Sequence, residues 1–152
     1  MSEAILFHYV SFPLLVGGIC LALPRRLGRE AALLSLAGAA VVFLLSCQIP
    51  GLRGVAARLV CLPTRAGSLN LTLSAGALSG FVTLTSSLLF LLMVCYSLAY
   101  LRPHPLRGRY HGLLHFAFAG VLTAALADHL ILLVLAWQFA ALMFHRQARL
   151  GG

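Results

Sequence analysis

The sequence predicts an all-α fold: an integral membrane bundle of about five transmembrane helices in a single domain, with a short interfacial β-element between helices 2 and 3. Composition is the first reason. The 152 residues are 61% hydrophobic, with a mean hydropathy of +1.00 and only 9% charged residues, whereas soluble domains carry about 25%. Run length is the second, because a hydrocarbon core of about 30 Å requires roughly 20 apolar helical residues, and runs near that length recur between Arg, Pro and Gly. The third is the placement of charge. All eleven basic residues are Arg, and they fall between the apolar blocks, as membrane topology demands.

The net charge of +8 does not point to nucleic acid, since the arginines gather into no continuous basic stretch. Cys20, Cys47, Cys61 and Cys95 lack CxxC or other metal-ligand spacing, so they indicate neither a disulfide framework nor a redox site. The opening MSEAILFHYV has a Glu, no basic n-region and no small-residue cleavage site, and its apolar run reads as a retained helix.

The first helix covers residues 4–23; Pro13 is expected to kink it, and His8 to bond a neighbouring helix. The second covers 31–49, where Ala31, Ser35 and Ala39 form a small-residue ridge suited to close packing. Residues 50–76 form an external loop, within which SLNLTLS alternates apolar and polar residues like a half-buried strand. The third helix spans 77–101. Its Ser79, Thr83 and Ser87 share a face, either bonding back to the helix or a neighbour, or lining a hydrated path. The fourth and fifth cover 110–127 and 129–144, with Asp128 between them as the turn and N-cap of a helical hairpin. About 16 residues is near the lower limit for spanning, so a single buried hairpin is the alternative for this end.

Five spans place the loop arginines 25, 26, 29, 102, 107 and 109 and the tail arginines 146 and 149 on one side, against 53, 58 and 65 opposite. The N-terminus is therefore expected outside and the C-terminus in the cytoplasm, with the chain integral to the cell (inner) membrane.

Within the spans, His111 and His115 lie one turn apart, and their ridge continues through Ala119 to Thr123. Three readings stay open: a metal pair, which lacks a recognisable third ligand; a proton relay; or His111 at the interface with His115 in a fixed interhelical bond. Gln138, beside Trp137, reads on physical grounds as an interhelical tie. No nucleophile with a base, paired carboxylates or cofactor motif is present, so no catalytic residue, metal or cofactor is expected.

The pieces LTLSAGALSGF, YSLAYL and RGRYHGLLHFAFAGVLTAALADHLILLVLAWQFAAL resemble the N-terminal portion of the antiporter-like membrane subunits of respiratory complex I (NADH-quinone oxidoreductase). They resemble equally the relatives of those subunits in cation/proton antiporters and membrane-bound hydrogenases. The matching positions are Leu78 and Ser79, Tyr96, Ser97 and Tyr100, Arg109 and Tyr110, Asp128 and Leu130, and Trp137, over about half the chain. Two departures stand out: Gly76 or Ala77 occupies the place of an acid before the LS pair, and Gln138 that of the family's intramembrane Glu.

In the family, that Glu works with a Lys on a later helix, and this chain contains no Lys. The resemblance therefore implies a truncated or split antiporter-like subunit, structural or accessory, in a redox-driven proton- or cation-translocating assembly. The implied partners are other hydrophobic subunits, including a Lys-bearing antiporter-like chain, and the proton-path candidates are His111, His115, Thr123 and Gln138. The alternative is a stand-alone structural or assembly membrane protein without transport activity.

Overall fold

The computed structural model describes residues 2–49, 54–64, 67–101 and 106–150. In chain order the elements are α1 (Ser2–Ala22), a 3-10 turn (Arg25–Leu27), α2 (Gly28–Ser46), β1 (Val55–Thr64), β2 (Gly67–Ala75), α3 (Ala77–Tyr100), α4 (Arg107–Leu126) and α5 (Leu130–Ala148). The expected five-helix bundle is present. Four stretches, Ile5–Ala22, Arg25–Ser46, Ala77–Tyr100 and Leu130–Ala148, are long and apolar enough to cross a membrane.

The fifth helix runs four residues beyond its expected end, to 19 residues, about 28 Å at 1.5 Å per residue. It is a full-length helix of its own and not half of a short buried hairpin. Helix α4 is the exception to the apolar rule: it carries Arg107, Arg109, His111 and His115 and is not among the four apolar stretches. It sits at the centre, packed against α1, α2, α3 and α5, so its two histidines are shielded by its neighbours.

The helices approach closely where side chains are small. A Cβ on Gly112 would stand 3.0 Å from the Gly17 carbonyl and one on Gly108 3.5 Å from the Cys20 carbonyl, so α1 and α4 meet almost backbone to backbone, while α2 reaches Gly108 through the Ala31 Cβ at 3.3 Å. Ala31, Ser35 and Ala39 are fully buried, as the ridge predicted. Large apolar side chains point outward instead, with Leu78, Phe81, Tyr96 and Tyr100 exposed on α3 and Leu130, Leu135 and Trp137 on α5. Others, Leu6, Ile49, Leu114, Phe118 and Leu122 among them, fill the core, so the outward-facing ones form apolar surface in addition to it, more than a soluble monomer usually exposes.

The loop between α2 and α3 holds more structure than a single strand. β1 and β2 pair antiparallel from Val55↔Ala75 to Thr64↔Gly67, with a register shift between Arg58 and Val60. The hairpin docks on the α4–α5 junction, where Leu73 bridges Ala127 and the Asp128 amide donates to the Thr72 carbonyl at 3.1 Å. Thr72 Oγ1 and Ser74 Oγ donate to the two Asp128 carboxylate oxygens, each at 3.4 Å. The expectation that Asp128 caps α5 is corrected. His129 is the N-cap, its Nδ1 accepting from the Ile131 amide at 3.3 Å, because the Asp128 side chain is turned to the strand.

Asp128→Ala should therefore release the hairpin and not the helix. The expected loss is about 1 kcal/mol, read as faster amide exchange at 71–75 with α5 unchanged. Equal acceleration in α5 would return Asp128 to a capping role.

These contacts sort the bundle ends. The hairpin end gathers the start of α1, the end of α2, the start of α3 and the α4–α5 turn. The opposite end carries Arg25, Arg26, Arg29, Arg107, Arg109, Arg146 and Arg149. Arg53, Arg65 and Arg102, used above for orientation, lie outside the described residues.

Candidate functional site

The two α4 histidines are brought into the centre of the bundle, where both are fully buried. His115 Nε2 lies 3.0 Å from Ser35 Oγ and 3.2 Å from the Ser35 carbonyl oxygen. A carbonyl can only accept, so the tautomer that satisfies both contacts carries its proton on Nε2 and leaves Nδ1 as a bare acceptor. The ring stands edge-on to Phe90, with centroids 5.0 Å apart, and Phe90 stacks on Phe118 at 3.9 Å. A Cβ on Gly38 would lie 3.2 Å from the imidazole Cε1, so this glycine makes room for the ring.

His111 is different. Neither ring nitrogen has a hydrogen-bond partner among the described residues, nor does His115 Nδ1. A neutral imidazole always presents one donor and one acceptor, so His111 holds two unmet polar groups in the core, each costing about 1–3 kcal/mol. The interfacial position expected for His111 is not what the structure has, because α1 and α2 close over this turn of α4. The fixed interhelical bond expected of His115 is present. No group of three His, Cys, Asp or Glu residues suited to a metal stands among the described residues.

The other candidates do not join this pair. Thr123 donates to its own helix, to the Ala119 carbonyl at 2.8 Å. Thr83 and Ser87 bond back to Ser79 and Leu84, while Ser79 Oγ accepts from the Gly76 amide at the start of α3. Gln138 and Trp137 are on the exposed face of α5, so among the described residues the amide ties no helices together. Tyr96 and Tyr100 stack on each other at 5.9 Å on the outer face of α3. Arg109 is exposed at the arginine-bearing end, and His8 is exposed with its ring edge-on to Phe7.

Sequence reasoning missed four contributors. Ser35 looked like a packing residue, yet it holds His115 from 80 positions away. Tyr9 Oη and Ser46 Oγ meet at 2.5 Å to join α1 to α2, and Ser46 donates on to the Val42 carbonyl. Gln147, beyond the expected end of the last helix, is buried, with its Nε2 unpaired among the described residues. A polar residue inside an apolar run was the available signal for Ser46; for Gln147 the run had already ended.

Compared with known proteins, the chain matches no family model and no curated sequence.

Proposed function

We propose that this chain is an integral protein of the cell (inner) membrane, N-terminus outside and C-terminus cytoplasmic, and an accessory subunit of a redox-driven proton- or cation-translocating assembly. In this reading it is an antiporter-like subunit of the complex I-like kind. The observation that carries the subunit role is the exposed Gln138 amide amid Leu135, Trp137 and Leu142 on the outer face of α5. A primary amide facing hydrocarbon forfeits its hydrogen bonds, and a helix of a second chain restores them. The motif matches at Tyr96, Tyr100, Arg109, Asp128 and Trp137 support the family, and an amide where the family has Glu supports a structural role, since it cannot ionise.

A stand-alone structural or assembly protein is the second reading. It is favoured by the way α4 is already enclosed by four helices of its own chain.

Gentle detergent extraction of a tagged chain, followed by mass spectrometry of what accompanies it, separates the two. Co-elution with hydrophobic subunits and iron–sulfur or flavin proteins supports the first, and recovery alone supports the second. Gln138→Leu should lower partner recovery about threefold to tenfold, from about 1 kcal/mol for an interhelical hydrogen bond. Gln138→Glu should leave ion flux unchanged. A gain of flux in the Glu variant would contradict the structural role.

A further inference from the structure

At the arginine-bearing end, α2, α3 and α4 leave a cleft of about 630 Å³ lined by Arg29, Leu33, Leu98 and Arg107. Arg29 and Leu33 are one turn apart on α2, so the guanidinium and the isobutyl group share a face, with the leucine nearer the middle of the bundle. Arg107 is held at the cleft wall, Nη2 donating to the Leu98 carbonyl at 3.0 Å. A second cleft at the same end, about 250 Å³, is bordered by Arg25 and Arg109. Glu30 is the one acid at this end, and it is exposed; Asp128 is at the other.

Two guanidinium groups above leucine walls are complementary to an amphiphile with an anionic head. The guanidinium fork matches phosphate oxygens, and basic pockets between helices at a membrane surface suit anionic headgroups. We infer that the Arg29–Arg107 cleft binds the phosphate of an anionic phospholipid, with its acyl chain running along Leu33. This rests on the membrane reading proposed above. A free phosphate shares the head chemistry but leaves the leucines unused.

The test is native mass spectrometry of the full chain in non-ionic detergent, with phosphatidylglycerol, phosphatidylcholine or inorganic phosphate added. Phosphatidylglycerol should be retained over phosphatidylcholine. Arg29→Gln should weaken retention about fivefold, and Arg29→Gln with Arg107→Gln about 25-fold, at roughly a factor of five per arginine. Arg149→Gln, at the same end but outside the cleft, should change nothing. Because Arg107 also bonds the last turn of α3, Arg29→Gln alone decides the matter if the double variant does not fold.

Equal retention of the two lipids overturns the proposal. So does an Arg149→Gln effect as large as that of Arg29→Gln. Displacement of lipid by equimolar inorganic phosphate would reassign the site to a soluble anion. Failure of the membrane reading appears separately, as release of the chain from membranes by alkaline carbonate.

Discussion

Gly120→Val should destabilise the bundle by about 3 kcal/mol, the upper part of the range for forcing extra methyl groups into a packed contact. A Cβ on Gly120 would meet the Ala136 carbonyl at 2.9 Å, the Ala140 Cβ at 3.0 Å and the Ala140 amide nitrogen at 3.1 Å. Two of those three atoms are α5 backbone, so no side chain can turn away and the whole helix must shift. Helix α5 packs chiefly on α4, so a shift there removes most of what holds it. Within hydrocarbon, close van der Waals packing and hydrogen bonds, not water exclusion, keep helices together.

Gly112 offers a milder comparison. The nearest atom to its added Cβ is Leu21 Cγ at 2.6 Å, the flexible part of a side chain, although the Gly17 carbonyl stands at 3.0 Å behind it. Gly18, with nothing within 4 Å, is the control, and Gly18→Ala should be neutral. Unfolding of the purified chain in mixed micelles of increasing sodium dodecyl sulfate reads all three. An unchanged midpoint for Gly120→Val would mean that α4 and α5 are not in close contact.

The helices were legible because apolar runs of spanning length are a composition signal that survives without knowledge of neighbours. Their ends were less so. An apolar-run criterion stops at Phe144, whereas His145, Arg146, Gln147 and Ala148 continue the helix, since Arg, Gln and Ala are good helix formers whatever their polarity. The partner strand β1 escaped because Arg58 and Pro63 interrupt its alternation and the register shift after Arg58 breaks the period. The histidine pair was visible from its spacing of four, but Ser35 came to it only through the packing of α2 on α4. The outward face of Gln138 could not be read, because α5 is apolar on nearly every side and such a helix carries little periodic signal about which side is buried.

The two histidines should answer mutation differently, and the difference tells whether α4 keeps them for folding or for transport. His115→Ala should destabilise the bundle by roughly 2–4 kcal/mol. It leaves a ring-sized space beside Phe90 and removes the hydrogen bonds to Ser35. His111→Leu, by contrast, should change stability by less than about 1 kcal/mol or raise it. It exchanges two unpartnered ring nitrogens for apolar atoms of similar bulk, and replacing unsatisfied buried polar groups by apolar ones is close to neutral. Micelle unfolding midpoints measure both, and a destabilisation by His111→Leu as large as that of His115→Ala would show that His111 has a structural partner after all. If His111→Leu is stable, packing does not need the imidazole at this position. Under the ion-translocating role proposed above, ion flux then becomes the deciding measurement. Under the relay reading, flux falls severalfold in His111→Leu at unchanged yield, because a buried, unpaired imidazole is the group able to take and pass a proton. Normal flux at normal yield removes the relay and leaves α4 as the packed centre of the bundle.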